Sequence, residues 1–209
     1  KVTGAGELPY VDQFGRSIAQ GQIVANSNTL LNFKNNYMSK LRNLSKGNIF
    51  ITDKMPQNFL YIGMIITVFP KAKIISVKRN PAALCWSNYK QYFPSQHIDY
   101  CYSLKDIIRY YNLYEDLMNF WKKFYDDKIF NLNYEFLTQN QKTETQKLLN
   151  YLNLNWDQKC LTPEKNKRNV FTASNIQVRK KIYQDSSEEW KHYKKFLSNK
   201  YDIFNVSDK

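Results

Sequence analysis

Residues Asn48–Phe93 read NIFITDKMPQNFLYIGMIITVFPKAKIISVKRNPAALCWSNYKQYF. Ile49, Phe50 and Ile51 form a short apolar run that ends at the polar Thr52, Asp53 and Lys54. Pro56 then opens an amphipathic segment through Phe69, so the pattern predicts strand followed by helix. Pro70 stops that helix and Lys71–Lys73 turn the chain. Ile74, Ile75 and Val77 make a second, largely β-branched run, short enough for a buried parallel strand. The stretch thus predicts one βαβ unit complete by Val77. Beyond it, Lys78-Arg79-Asn80-Pro81 leaves the strand and starts another helix, with Pro81 suited to the first helical position, where a missing N–H costs nothing. Cationic side chains and free helix amides meet there at one strand end.

An open α/β sheet places its ligand at such a junction, outside the carboxyl ends of its strands and beside helix N-termini. Arg79 offers a bidentate fork to a phosphate, and Ser87, eight residues on, adds one hydroxyl. Taken alone, the two are read more simply as a surface arginine and a helix serine bonded to its own backbone. Lys54 follows the first apolar run directly, which puts an ammonium group at the carboxyl edge of the sheet. Any single lysine in so basic a chain also reads as a solvated loop residue.

The surroundings of these residues weigh against the simpler readings. DKMPQNF with YIG, FP with AKII, and RNP followed by Ser87 and YKQYF resemble the sulfotransferase family that uses 3′-phosphoadenosine 5′-phosphosulfate (PAPS) as donor. The resemblance is to the bacterial branch often fused to tetratricopeptide repeats and related to tyrosylprotein sulfotransferases. It extends to GAGELPY at residues 4–10, LNYEFL at 132–137 and TASNIQVRKKIY at 172–183. Four blocks in order span most of the chain.

The resemblance implies a P-loop NTPase-like α/β fold, with a central parallel sheet and helices on both faces. It implies transfer of a sulfuryl group from PAPS to a hydroxyl acceptor (protein tyrosine, carbohydrate or small alcohol), with PAPS and its product PAP as partners and no metal. By motif position, Glu7 is the general base, Lys54 and Ser174 stabilise the transferring group, and Arg79 with Ser87 clamps the 3′-phosphate. Tyr134 lies near the nucleotide, a core or capping role being the other reading, and Arg179, Lys180 and Lys181 belong to a tail that folds over the donor. Glu7 otherwise reads as an exposed loop glutamate, and the tail lysines as one basic helix face. Glu188 and Glu189 replace the glycine and basic residue usual in relatives, so no direct phosphate contact is expected from that turn.

One part of the family pattern is missing. The Pro-Arg-Ser-Gly-Thr-Thr-like loop that cradles the 5′-phosphosulfate precedes GAGELP in relatives, and Gly4 and Gly6 lack the GK[ST] ending that would replace it. The expectation is one N-terminally truncated sulfotransferase domain over residues 1–209, lacking its first strand, inactive alone, with a tetratricopeptide region upstream as a possible partner.

The rest of the chain supports one domain with a substantial core: 209 residues, 43% of them hydrophobic. Residues 12–44 read as mostly helical, and Leu104–Phe124 as a long amphipathic helix carrying Ile107, Ile108, Tyr111, Tyr114, Leu117, Met118 and Trp121 at three- and four-residue spacings. That spacing favours burial over a base-stacking platform. Ile129–Leu132 reads as a third strand and Thr143–Leu152 as a helix. No run approaches the roughly 18 apolar residues of a membrane span, and the first residues lack a signal-peptide pattern. Cys85, Cys101 and Cys160 have neither disulfide nor zinc spacing, which points to reduced thiols and a cytoplasmic setting.

A net charge of +13 calls for an anionic partner without naming it. Part of that charge goes with a lysine-, asparagine- and isoleucine-rich composition that needs no binding role. A P-loop-type nucleotide kinase is one alternative, although it needs a GK[ST] loop and a magnesium carboxylate, for which only Asp53 stands ready. A basic nucleic-acid-binding module is the other, although its basic residues would spread along one face instead of gathering at strand ends.

Overall fold

A computed structural model describes residues 2–93, 98–166, 177–197 and 201–204. Its contacts gather into two compact units, residues 1–72 and 73–209.

In the first unit, strand β1 (Val2–Gly6) pairs parallel with strand β2 (Phe50–Asp53). Val2 stands opposite Phe50 and Gly4 opposite Thr52, after which the register shifts so that Gly6 meets Asp53. Gly6 takes φ +87°, a left-handed conformation that glycine adopts without a Cβ penalty, and its carbonyl accepts the Lys54 amide at 2.9 Å. Residues 2–6 are therefore a strand, where the sequence reading has a glycine turn and takes Ile49–Ile51 as the first strand present. A ladder needs backbone groups only, and Ala5 and Leu8 supply the apolar contacts that the glycines lack.

The connection from β1 to β2 is helical, as a parallel pair requires. Helix α1 (Tyr10–Ala19) and helix α2 (Ser27–Ser45) are separated by a break at Gly21, φ +69°. Asn26 caps α2 in a reciprocal box with Thr29, accepting the Thr29 amide at 3.0 Å while its own amide donates to the Thr29 hydroxyl at 3.0 Å. After β2, a 3₁₀ turn (Pro56–Tyr61) leads into helix α3 (Ile62–Val68), where the hydrophobic pattern predicts one continuous helix. The core of the unit is Leu8, Val11, Phe33, Tyr37 and Val68. Phe14 stacks on Phe33 at 4.6 Å between centroids. Each such side chain contributes on the order of 1.5–3 kcal/mol by leaving water.

In the second unit, strand β3 (Ile74–Lys78) pairs parallel with strand β4 (Ile129–Asn133), from Ile74 opposite Ile129 to Lys78 opposite Asn133. The expected βαβ unit from Ile49 to Val77 supplies one strand to each of these two pairs. Each strand finds its partner across a longer helical crossover, β1 with β2 and β3 with β4.

Helix α4 (Pro81–Tyr89) begins with Pro81, as predicted, and Asn80 caps it by accepting the Ala83 amide at 3.0 Å. Helix α5 (Leu104–Tyr125) is the long helix read from the sequence. Ile107 and Met118 are buried, while Leu113, Phe120 and Phe124 are exposed. Helices α6 (Tyr134–Gln139) and α7 (Gln141–Tyr151) follow β4, and Tyr151 donates its hydroxyl to the Lys128 carbonyl at 2.6 Å. Short 3₁₀ turns at Asp185–Ser187 and Glu189–Tyr193 lead to helix α8 (Lys194–Leu197). Ala82, Ala83, Cys85, Ile107, Trp190, Leu197 and Phe204 make the core, in which burial pushes the Cys85 thiol up to about 12. Among the described residues, no helix is long and apolar enough to cross a membrane.

Gly15 on α1 is buried, and a Cβ placed there would lie 2.4 Å from Cδ1 of the Tyr61 ring and 2.7 Å from its Cγ. Gly15→Ala is expected to destabilise the protein by roughly 1–3 kcal/mol despite alanine's better helix propensity, because the ring has to move out of a packed position. Denaturant unfolding of the variant measures it; stability equal to or above that of the parent would show that the ring moves without cost.

Candidate functional site

Two groups of polar side chains gather at strand ends, one in each unit. In the first, Glu7 follows β1 and Lys54 follows β2, and the parallel pairing brings them together as an ion pair. The Lys54 side chain is 67% exposed and that of Glu7 34%, so both remain open to solvent. Beneath them Asp53 is committed on both oxygens: Oδ1 accepts the Leu8 amide at 3.2 Å and Oδ2 the Tyr37 hydroxyl at 2.6 Å. Burial, with the hydrogen bond to Asp53 next, pushes the Tyr37 phenol up, so Tyr37 remains a donor. Asp53, which the sequence reading considers only as a metal carboxylate for a kinase, fastens the start of the Glu7 loop to β2.

In the second unit, Arg79 lies between the end of β3 and the capped start of α4. Its guanidinium sits over the Tyr134 ring, 5.2 Å from the centroid, a cation–π arrangement. Its Nε donates to the Ser187 hydroxyl at 3.2 Å, and Nη2 donates to the Ser186 carbonyl. Tyr134 and Ser186 share a hydroxyl–hydroxyl bond of 2.9 Å. Glu135 Oε1 accepts both the Asn80 amide at 2.9 Å and the Ser187 hydroxyl at 2.7 Å. Tyr134 and Glu135 are here because Asn133 ends β4 and caps α6, accepting the Phe136 amide at 2.7 Å.

The predicted residues separate accordingly. Glu7 and Lys54 are brought together, and so are Arg79 and Tyr134. Ser87 is half-buried on α4, and among the described residues no hydrogen bond joins it to Arg79. Arg179, Lys180 and Lys181 are exposed, and among the described tail residues Ser186 and Ser187 bond to Arg79. Ser174 lies outside the described residues. Glu188 and Glu189, which break the family pattern, form ion pairs with Lys191 and Lys90. Glu135, Ser186 and Ser187 carry no sequence signal beyond Glu135 standing next to Tyr134.

One group can bind an anion and the other can move a proton. An arginine held over an aromatic ring keeps donors for phosphate or sulfate, and an exposed carboxylate–ammonium pair supplies a base next to a positive charge. Among the described residues, no group of His, Cys, Asp or Glu gathers in metal-binding numbers.

The model of the sulfotransferase family matches residues 22–158. A protein of Aquifex aeolicus (strain VF5) described as uncharacterized is 34% identical over 93% of this chain. The chain spans only 28% of that relative's length. The structure is similar to the sulfotransferase domain from the Synechococcus PCC 7002 olefin synthase, with a TM-score of 0.62 and 15% identity over 88% of this chain and 76% of that one. It is also similar to the sulfotransferase domain from the curacin biosynthetic pathway, with a TM-score of 0.54 and 13% identity over 90% and 74% of the two chains. Likeness at that identity establishes the fold: parallel α/β layers flanked by helices, as the motifs imply.

The two carboxylates of the first unit carry different loads. Tyr37→Phe, which strips one partner from Asp53, is expected to cost about 1–3 kcal/mol of stability. Lys54→Ala, at an exposed pair, is expected to change it by no more than about 1 kcal/mol. Denaturant titration of both variants checks this, and a large loss for Lys54→Ala would show that the exposed pair is there for folding.

Proposed function

The chain belongs to the sulfotransferase family, and on that premise we propose that it transfers a sulfuryl group from PAPS to a hydroxyl acceptor. The observation that carries this reading is Arg79, set at the carboxyl end of β3 with its guanidinium over the Tyr134 ring, both at positions the family motifs mark for the nucleotide. Each role is assigned within its own unit.

In the proposed reaction the acceptor oxygen attacks sulfur, the bond from sulfur to the 5′-phosphate oxygen breaks, and the acceptor proton passes to Glu7. The nucleotide leaves as 3′-phosphoadenosine 5′-phosphate, so atoms and charge balance with no covalent enzyme intermediate. Glu7 has to exchange its lysine partner for the acceptor hydroxyl before it can take the proton. Lys54, released from the carboxylate, is then available to oxygens that gain negative charge as the bond breaks, where a fixed cation counts most. Arg79, with Ser87, holds the 3′-phosphate. Tyr134 lies beside the nucleotide, and Ser174 with Arg179, Lys180 and Lys181 supplies the tail that covers the donor and excludes water. The acceptor class (protein tyrosine, carbohydrate or small alcohol) depends on loop shape and not on these motifs.

Transfer of labelled sulfate from PAPS to a panel of hydroxyl acceptors by the full-length protein tests the reaction. Calorimetry tests the clamp: Arg79→Ala is expected to weaken 3′,5′-ADP by roughly ten- to a hundred-fold, the worth of a charge-assisted bond, and to leave AMP nearly unchanged. Ser87→Ala should do the same more weakly. Equal losses for both nucleotides would show that these residues serve the fold and not the phosphate.

A further inference from the structure

Ser187 is only 3% exposed and stands between a guanidinium and a carboxylate. A serine hydroxyl has one proton to give; Arg79 cannot accept it, and ionised Glu135 cannot donate. The chain of bonds therefore has one possible direction, from Arg79 Nε to Ser187 Oγ to Glu135 Oε1, over 3.2 and 2.7 Å. The same Oε1 accepts the amide of Asn80, the residue that follows Arg79. Glu135 thus holds the backbone beside Arg79 directly and its guanidinium through Ser187. With the Ser186 carbonyl on Nη2 and the Tyr134 ring beneath, the Nε side of the guanidinium is engaged. Of the five N–H donors, Nη1 and the second hydrogen of Nη2 have no hydrogen-bond partner among the described residues and remain for an anion.

We propose that Glu135 is a positioning residue for 3′-phosphate recognition: acting through Ser187, it seats Arg79 by its Nε edge so that the outer edge is presented to the phosphate. This rests on the reading of Arg79 given above. The competing interpretation of the same contacts is a plug, in which the Ser186-Ser187 turn occupies donors that the phosphate must win back. The two differ in sign. Loosening a seat weakens the nucleotide, and loosening a plug tightens it.

Calorimetry with 3′,5′-ADP and with AMP on the full-length protein and its variants separates them. Ser187→Ala leaves the Glu135–Asn80 bond in place and is expected to weaken 3′,5′-ADP about ten-fold with little change for AMP, the loss of one hydrogen bond to a charged donor. Glu135→Ala should weaken 3′,5′-ADP at least as much. Glu135→Gln should restore binding to within about three-fold of the parent, because one amide oxygen can take both bonds that Oε1 takes now. A Ser187→Ala variant that binds 3′,5′-ADP as tightly as the parent, or more tightly, overturns the seat. So does a Glu135→Gln variant as weak as Glu135→Ala, since a charge effect and not positioning would then be at work. Should Glu135→Ala fail to fold, Ser187→Ala decides by itself. A parent protein that does not prefer 3′,5′-ADP to AMP would instead overturn the underlying reading of Arg79.

Discussion

Two strands that run parallel end at the same edge, and the polar chemistry of this protein follows from that constraint. Glu7 and Lys54 are 47 residues apart in sequence and become partners because β1 and β2 run side by side in one direction. Asn80 and Glu135, 55 apart, meet because β3 and β4 do the same. Antiparallel hairpins would have sent these residues to opposite edges. The constraint also dictates the helices, since a parallel pair cannot be closed by a tight turn. Two-stranded ladders are marginal by themselves. Here they are supported by packed helices: Phe33 and Tyr37 on α2 gather with Ala5 of β1 in one unit, and Tyr151 on α7 stacks on Phe130 of β4 in the other.

What was legible in the sequence follows from how local each signal is. The β3-to-α4 junction could be read because a β-branched run and a proline at the first helical position act over a few residues. The long helix α5 could be read because its apolar spacing repeats for six turns. Strand β1 could not: Val-Thr-Gly-Ala-Gly has no apolar alternation and carries two glycines, which weaken a strand signal, and it is a strand because β2 offers it a ladder. Strand partners were not legible for a related reason, since periodicity identifies elements and not their partners. Among the candidate residues, motif position brought out Glu7, Lys54, Arg79 and Tyr134, which the structure brings together two by two. Ser186 and Ser187 were invisible because a serine in a polar tail looks the same whether it faces water or a guanidinium. Glu135 was passed over because an acidic residue in the first turn of a helix is ordinarily explained by the helix dipole.

The two polar groups differ in how firmly they are held. The Glu7–Lys54 pair is largely solvated, where an ion pair contributes little to stability and its members can change partners at little cost. Arg79 and its neighbours are partly buried and joined by several hydrogen bonds, a setting in which each bond strengthens the others and the loss of one strands its partner. One group suits exchange of a proton, the other a fixed shape. Most of the 31 Lys and Arg residues belong to neither.

Arg79 and Ser187 are separated by 108 positions in the chain. Synthesis proceeds from the N-terminus, so β3, α4 and the arginine itself leave the ribosome well before the serine that orients it. During that interval the guanidinium lacks its Nε acceptor, and closing so long a loop adds an entropic cost that only the finished core around Trp190 and Phe204 offsets. In a growing chain, the order around Arg79 is therefore among the last features to be established. Premature termination between the end of α7 and residue 187 would leave both strands of the β3–β4 pair in the chain and the arginine unguided.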